Sequence, residues 1–303
     1  MKSPLIRHPE PDELESVFRL LFRHLIPEEQ TMRIRSFLQS FQSGAITADG
    51  IFLAEKDGQI LGTLYSQLRP DGSVLLFPPV ISDSGLTAVS TAQLFAAFEN
   101  YCRKHSVIAA TALADDNQIF DEETFQTLGK FKFLSEMVCL ASTAAAESIV
   151  SRSLEFVPMS EVAVLPFERM CGVVSKTYEN TKDFPQLMTA MPIEGILRTY
   201  QGAAFLPELW FFIQQDGQDI GVLLVTDSRD GQMELTYMGL VPAVRRKGLS
   251  KEIVQFAQRL TFQRNGLFLT TSVDERNTAA LKTYLTCGFK AWDRKRVFVR
   301  LFE

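Results

Sequence analysis

The sequence predicts a mixed α/β (α+β) fold of two similar domains, each a mostly antiparallel mixed sheet flanked by helices. The first observation is an internal repeat: FLAEKDGQILG at 52–62 resembles FFIQQDGQDIG at 211–221, at a constant offset of 159 residues. The second is that each segment places an Asp-Gly pair between two apolar runs, which is a strong hairpin signal. The third is that apolar residues with helical spacing follow each hairpin.

The offset gives the order of elements in both copies. The predicted strands are 51–55, 60–67, 73–81 and 107–113 in the first copy, and 209–215, 220–226, 232–241 and 267–273 in the second. The predicted helices after the third strands are 87–105 and 249–260, and a last helix and strand close each copy. Small residues replace the apolar pattern in ASTAAAES at 141–148, which predicts domains at 1–148 and 149–303.

Composition excludes several classes of protein. A chain of 303 residues suits two domains of ~150 residues each, and a net charge of −5 argues against general nucleic-acid affinity. No run approaches the ~18 apolar residues of a membrane span. We therefore expect a cytoplasmic protein with neither nucleic-acid nor membrane partners, as a monomer or homodimer. The three histidines all precede residue 106, so the rest of the chain offers no Ser-His-Asp triad and no His-rich zinc site. We expect no metal.

The segment VPAVRRKGLS at 241–250 lies between a predicted strand and a predicted helix. Helix N-termini present unpaired N–H groups, glycine allows close approach to the backbone, and Arg245, Arg246 and Lys247 add positive charge. These features together suit a pyrophosphate. A solvated surface turn explains the segment equally well.

The segment SVDERNTAALKTYLTCGF at 272–289 changes that balance. Asn277 and Tyr284 are seven residues apart, about two helical turns, so they share one helix face. Asn277 can bind a ligand amide, and Tyr284 can place a phenol near the ligand's reactive end. The structural alternatives are a helix N-cap for Asn277 and a core aromatic residue for Tyr284.

The two motifs together resemble the GNAT superfamily of N-acetyltransferases. Arg245, Gly248 and Ser250 match its (Q/R)xxGx(G/A) loop, with serine in place of the usual Gly or Ala. Asn277, Ala280, Tyr284, Gly288 and Phe289 match its second signature. The resemblance implies that acetyl-coenzyme A is the acetyl donor. The implied donor-binding residues are Leu240, Val241, Arg245, Arg246, Lys247, Gly248, Leu249, Ser250, Asn277 and Tyr284.

The resemblance also implies roles for particular groups. Tyr284 would be the general acid for the departing thiolate. The backbone of Leu240 and Val241 would pair with the pantetheine arm, beside a β-bulge at Gly239. A carboxylate acting through water is the usual base of the family, and Glu234 is the first choice, with a cross-strand charge pair as the alternative.

The acceptor amine is expected at the polar stretch TYENTKDFPQLM, 177–188. Its Glu179 and Asp183 could hold a cationic amine, or they could be loop-capping groups. The acceptor itself remains open between a small molecule and a peptide.

The first copy lacks the matching groups. Arg245, Gly248 and Ser250 correspond to Leu86, Val89 and Thr91, while Asn277 and Tyr284 correspond to Gln118 and Phe125. This pattern is similar to tandem GNAT proteins of mycothiol synthase-like architecture, with one degenerate half. The sequence therefore predicts an acetyl-coenzyme A-dependent N-acetyltransferase with its active site in the C-terminal domain. The alternatives are a non-catalytic acyl-coenzyme A sensor and, less compatible with the acidic chain, a nucleotide- or RNA-binding protein.

Overall fold

The structure is a computed structural model, and it describes residues 4–44, 46–82, 87–115, 122–145, 153–202, 205–227 and 231–302. The chain divides into two compact units, Met1–Leu134 with Arg296–Glu303, and Ser135–Lys295. These units do not divide at the predicted boundary of 148/149: residues 135–148 group with the second unit, and 296–303 group with the first. The boundary at 148 remains a prediction about where the sequence repeat ends.

The first unit contains a sheet with helices on both faces. Its elements are β1 (Leu5–Arg7), α1 (Leu14–Leu21), α2 (Pro27–Gln42), β2 (Ile51–Lys56), β3 (Gln59–Leu68), β4 (Ser73–Ile81), α3 (Thr87–Lys104), β5 (Ala109–Asp115) and α4 (Glu122–Thr127). The strands lie in the order β1-β2-β3-β4-β5. Only β4 and β5 pair in parallel; the other pairs are antiparallel.

The second unit repeats this plan. Its elements are β6 (Lys132–Thr143), β7 (Glu155–Pro158), α5 (Pro166–Tyr178), α6 (Pro185–Met188), α7 (Ile193–Gln201), β8 (Trp210–Gln215), β9 (Gln218–Asp227), β10 (Gln232–Leu240), α8 (Leu249–Gln263), β11 (Phe268–Asp274), α9 (Thr278–Thr286) and β12 (Lys290–Leu301). The division between units falls inside β6 and β12. The strand order is β6-β11-β10-β9-β8-β7, with one parallel pair, β10 and β11. The predicted fold class is thus confirmed.

Two apolar layers hold the second unit together. Helices α8 and α9 cover one face of the sheet, where Ile253 and Ala257 pack on Leu223 and Leu235. Helices α5 and α7 cover the other face around Trp210. Burying both faces of a sheet in this way removes most of its apolar side chains from water, which is the dominant stabilising contribution.

The hairpin predictions are confirmed by backbone conformation. Asp57 and Gly58 both have positive φ, 51° and 78°, and Asp216 and Gly217 have 51° and 72°. Positive φ at both central residues is the type I′ turn, whose twist matches that of the two strands it joins. The predicted loop 177–188 differs in detail, because α5 continues to Tyr178 and the short helix α6 begins at Pro185. Among the described residues, no helix is both long enough and apolar enough to cross a membrane.

Candidate active site

A cavity opens where β10 and β11 separate. The two parallel strands pair only over Gln232–Glu234 and Phe268–Thr270. Beyond these residues the Thr271 hydroxyl donates to the Leu235 carbonyl oxygen at 2.9 Å, and the strands then diverge. The gap forms a cavity of about 220 Å³ bordered by the C-terminal half of β10, the end of β11, the α5–α6 loop and the start of α9.

A β-bulge lies in β10, but not at the predicted residue. The register against β9 shifts between Leu235 and Tyr237, which leaves Thr236 as the extra residue. The prediction of a bulge at Gly239 is wrong. Gly239 serves close packing instead, since a Cβ atom there would lie 2.6 Å from both the Thr177 hydroxyl and the Tyr237 hydroxyl.

The cavity brings together several residues predicted from sequence and leaves others outside. Asp183, Leu240, Arg245, Asn277 and Tyr284 all line it. Glu234 and Glu179 are not among its lining residues. The turn at 246–250 follows Arg245 directly but lies outside the cavity lining as well.

Tyr284 is the phenol of this cavity. Its side chain is only 5% exposed, and its ring packs on Phe289 with centroids 5.4 Å apart. Burial raises the pKa of the phenol, an effect that the Thr271 hydroxyl partly opposes. The hydroxyl therefore keeps its proton over the whole neutral pH range, which is the state a general acid requires.

Asn277 caps α9, as the structural alternative for this residue predicted. Its side-chain oxygen accepts from the Ala280 N–H at 3.3 Å. Capping uses only the oxygen of the amide, so the NH₂ group remains a donor on the cavity side. The two interpretations of Asn277 are therefore compatible.

Arg245 does not supply the mobile positive charge that the sequence suggested. Its guanidinium donates to three backbone carbonyl oxygens, those of Leu240 at 2.9 Å and of Thr177 and Glu179 at 2.8 Å. The last two are carbonyls that the end of α5 leaves unpaired. Arg245 thus ties the end of β10 to the end of α5, across the mouth of the cavity.

The rest of the turn keeps the features of an anion site. Arg246 and Gly248 have positive φ, 64° and 82°, and successive N–H groups in such turns form anion-binding concavities. Within the described part of the chain, no acceptor is found for the N–H groups of residues 246–250. Arg246 and Lys247 are exposed, and α8 begins at Leu249 with its positive dipole end toward the turn.

Gly248→Ala tests this geometry. A Cβ atom at residue 248 would meet nothing within 4 Å, so the cost comes from the positive φ alone, about 1–2 kcal/mol. We expect a modest loss in the free energy of unfolding. For acetyl-coenzyme A, the donor that the resemblance implies, we expect a KM that rises about tenfold, equivalent to ~1.4 kcal/mol. Thermal unfolding and initial rates at varied donor concentration measure the two effects.

Gly217→Ala is the matched control, because Gly217 also has positive φ (72°) and open space around a Cβ atom, but it lies in the β8–β9 hairpin. It should lose the same stability without any change in KM. Equal KM values for both variants would show that the turn at 248 does not touch the donor.

The strand end offers one backbone donor to the cavity. The Val241 N–H donates to the Ile220 carbonyl oxygen at 2.9 Å, and the Val241 carbonyl accepts from Val244 at 3.2 Å. Both backbone groups of Val241 are therefore engaged within the chain. Because N–H groups alternate in direction along a strand, that of Leu240 points away from β9 and toward the gap.

Asp183 and Asp274 are linked by backbone hydrogen bonds, and their carboxyl pKa values are shifted in opposite directions. The Asp274 N–H donates to Asp183 Oδ1 at 3.0 Å, and the Phe184 N–H donates to Asp274 Oδ2 at 3.3 Å. Burial would raise the pKa of Asp274, but hydrogen bonds from Arg276 and Ser135 outweigh it and hold the pKa below its usual value. The pKa of Asp183 is raised, first by burial and then by the charge of Asp274.

Two predicted carboxylates lie elsewhere. Glu234 is at the paired end of β10, where burial alone raises its pKa. Glu179 is an exposed C-cap residue of α5, and it is its backbone carbonyl that Arg245 binds. Within the described residues, no group of three or more His, Cys, Asp or Glu side chains could hold a metal ion.

Three tyrosines, Tyr237 and the two that pack around it, were not among the predicted site residues. The Tyr237 ring lies 5.2 Å from Tyr178 and 6.1 Å from Tyr200, measured between centroids. The Tyr237 and Thr177 hydroxyls are 2.8 Å apart. Tyr178 lies within the polar stretch 177–188 predicted to bind the acceptor. The alternation of side chains along β10 could have predicted that Tyr237 lies on the face of the sheet that α8 does not cover.

In the first unit, the part of the corresponding segment that the structure describes is helical. α3 begins at Thr87, so Val89, the counterpart of Gly248, lies inside a helix rather than in a turn before one. Thr91 is buried, and Phe125 is 1% exposed in α4 at the place that Tyr284 has in α9. Leu86 and Gln118 lie outside the described residues.

Known proteins resemble the second half of this chain. Residues 175–289 match the family described as Acetyltransferase (GNAT) family. The Peptidyl-lysine N-acetyltransferase YjaB of Salmonella typhimurium is 29% identical over 132 residues, which cover 43% of this chain and 81% of the relative.

Two solved structures share the fold. A GCN5-related N-acetyltransferase from Sphaerobacter thermophilus has 13% identity and a TM-score of 0.67, covering 98% of this chain and 95% of its own. A tandem GNAT protein from the clavulanic acid biosynthesis pathway has 11% identity and a TM-score of 0.55, covering 98% of each chain. The match over residues 175–289 and the curated relative confirm the resemblance to GNAT acetyltransferases seen in the motifs, and the chain is an N-acetyltransferase.

Proposed function

We propose that this chain transfers the acetyl group of acetyl-coenzyme A to a primary amine in the cavity of the second unit. The observation that carries the proposal is the convergence of three groups on this cavity and its entrance. They are the buried phenol of Tyr284, the strand-end N–H of Leu240, and the turn at 246–250 with its unpaired N–H groups.

Each group has a task in direct transfer. The N–H groups of 246–250, with Arg246 and Lys247 nearby, hold the pyrophosphate of the donor. The Leu240 N–H donates to the thioester carbonyl oxygen, where negative charge develops. The Asn277 NH₂ group binds an amide of the pantetheine arm. Tyr284 gives its proton to the departing sulfur.

The acceptor is a primary amine. The curated relative is named as a peptidyl-lysine N-acetyltransferase, which supports including lysine peptides among the candidates. The acceptor side of the cavity carries Asp183, Thr177 and Tyr237, a polar and aromatic surround that suits an ammonium group at the end of an aliphatic chain.

Donor binding is the first test. With acetyl-coenzyme A at ~100 times its Kd, the stabilisation is ~2.7 kcal/mol, which should raise Tm by roughly 5–10 °C for a unit of this size. ATP at the same concentration should give a smaller shift, because it offers phosphates without a pantetheine arm. No shift with either acetyl-coenzyme A or coenzyme A would refute the proposal.

Transfer is the second half of the same test. Released thiol is measured with acetyl-coenzyme A over a panel of primary amines that includes a lysine-containing peptide. Thiol release that requires the amine supports the enzyme. A Tm shift without thiol release across the panel would favour the acyl-coenzyme A sensor instead.

A further inference from the structure

We propose that Asp183 binds the acceptor as an alkylammonium ion and takes its proton, and that Asp274 and Arg276 hold Asp183 in position. This assignment rests on the acetyl transfer proposed above. It replaces Glu234, the base predicted from the sequence, by a residue of the α5–α6 loop that lines the cavity.

The loop that carries Asp183 is fixed at several points. Asp183 Oδ1 accepts from the backbone N–H of Asp274 at 3.0 Å, and the next residue, Phe184, donates to the Asp274 carboxylate. Arg245 holds the beginning of the same loop through the Glu179 carbonyl oxygen. The carboxylate of Asp183 is therefore held by the ends of β10 and β11 rather than placed by a free loop.

Asp274 has its charge neutralised, whereas Asp183 does not. The Asp274 side chain is fully buried and is bound by Arg276 in an ion pair of 2.6 Å and by the Ser135 hydroxyl at 2.6 Å. Among the described residues, Asp183 has no ion-pair partner. A carboxylate left without a cation next to a neutralised one is the group most stabilised by an incoming ammonium ion.

The surroundings of Asp183 favour that ion further. Tyr178 from α5, Tyr237 from β10 and Tyr284 from α9 lie near enough to interact electrostatically with Asp183, and the charge of Asp274 from β11 also acts on it. Lys182 from the same loop and Arg245, whose guanidinium is bound to backbone carbonyls, are cations that also line the cavity. Aromatic faces attract ammonium groups. Burial and the Asp274 charge also raise the pKa of Asp183, which brings its basicity closer to that of an amine.

The step balances as follows. The ammonium R–NH₃⁺ gives one proton to the Asp183 carboxylate and becomes a neutral amine. Its nitrogen lone pair forms the C–N bond as the C–S bond breaks, and the sulfur keeps that electron pair. Tyr284 protonates the sulfur and recovers a proton from the nitrogen, which leaves the neutral amide. Asp183 returns its proton to solvent.

Glu234 is the alternative base, and the structure separates the two. Glu234 lies where β10 and β11 still pair and is not among the cavity-lining residues. Both carboxyl pKa values are raised by burial, so burial alone does not distinguish them. Asp183→Asn and Glu234→Gln therefore make a matched pair of isosteric amides.

The test uses the 303-residue chain and, as probe, Nα-acetyl-lysine methyl amide, whose side-chain amine is free, with acetyl-coenzyme A. Wild-type kcat/KM should be nearly flat from the pKa of Asp183 up to that of the amine. In Asp183→Asn it should fall about 30-fold at pH 7 and then rise tenfold per pH unit, because only the free amine reacts. Glu234→Gln should keep the wild-type profile. The proposal would be overturned if Glu234→Gln showed the fall at pH 7 and the rise with pH while Asp183→Asn kept the wild-type profile.

A binding measurement makes the result independent of turnover. Calorimetry with coenzyme A present compares the lysine probe with N-acetyl-norleucine methyl amide, which has a similar shape but no charge. Wild type should prefer the lysine probe by tenfold or more, and Asp183→Asn should lose that preference while Glu234→Gln keeps it. A preference that survives in Asp183→Asn would refute the assignment, even if acetyl transfer itself is confirmed.

Discussion

Tyr284→Phe is expected to lower kcat by about 10²- to 10³-fold, the contribution typical of a general acid, with the affinity for coenzyme A unchanged. The substitution removes only the hydroxyl. The ring keeps its packing on Phe289, and the first unit already carries phenylalanine, Phe125, buried at the equivalent place. Initial rates of thiol release and calorimetric titration with coenzyme A measure the two quantities.

The raised pKa of Tyr284 also predicts how the activity changes with pH. Because burial raises the pKa of Tyr284, the phenol stays protonated and active as pH rises, so no loss of activity from this group should appear below pH 9. Tyr65→Phe is the control. Tyr65 is likewise a buried phenol with a raised pKa, but it belongs to the first unit. Equal kcat for Tyr284→Phe and wild type would remove Tyr284 from the acid role.

Sequence patterns were sufficient to predict the features that depend only on residues close together in the chain. The Asp-Gly pairs predict hairpins, because glycine takes positive φ in such a turn at little cost. The seven-residue spacing of Asn277 and Tyr284 predicts that both lie on one helix face, since this follows from helix periodicity alone. Both predictions depend on neighbours in the chain, and both are confirmed by the structure.

Contacts between residues that are far apart in the chain could not be predicted from such local patterns. Arg245 looked like a free cation because its acceptors, the carbonyls of Thr177 and Glu179, are more than 60 residues away in the chain. The bulge lies at Thr236 rather than at Gly239. The space at Gly239 is occupied by the hydroxyls of Tyr237 and of Thr177, a residue of α5 that is distant in the chain. The repeat likewise could not show that the compact units divide inside β6 and β12.

The carboxylates illustrate the same limit. The place of Glu234 on its strand is visible in the sequence, and this place predicts Glu234 as the base. What distinguishes Asp183 is the neutralisation of Asp274 by Arg276, and this is visible only when the loop and the end of β11 are seen together. Assigning the base requires a comparison of the surroundings of each carboxylate, and the sequence alone does not show those surroundings.

Arg245→Lys separates the predicted role of this residue from the observed one. If Arg245 were a mobile cation for the pyrophosphate, lysine would replace it with little loss. The structure instead uses the planar guanidinium to bind three carbonyl oxygens at once, which a lysine ammonium cannot reproduce.

We therefore expect Arg245→Lys to lower the free energy of unfolding of the second unit by about 2 kcal/mol, since partly buried carbonyls lose charge-assisted donors. That corresponds to a fall in Tm of roughly 5–10 °C. KM should rise for both donor and acceptor, because the clamp joins the end of β10, which faces the donor, to the end of α5, which leads into the Asp183 loop.

Arg246→Lys serves as the control, because Arg246 is exposed and no ion-pair partner for it is found within the described residues. It should leave Tm and both KM values near those of wild type. If Arg245→Lys also kept the wild-type Tm and acceptor KM, the clamp would be wrong. That result would instead fit a mobile cation, which lysine can replace. If it instead loses stability while donor and acceptor KM rise together, Arg245 acts by joining the two halves of the cavity, and recognition of the phosphates belongs to the backbone of residues 246–250.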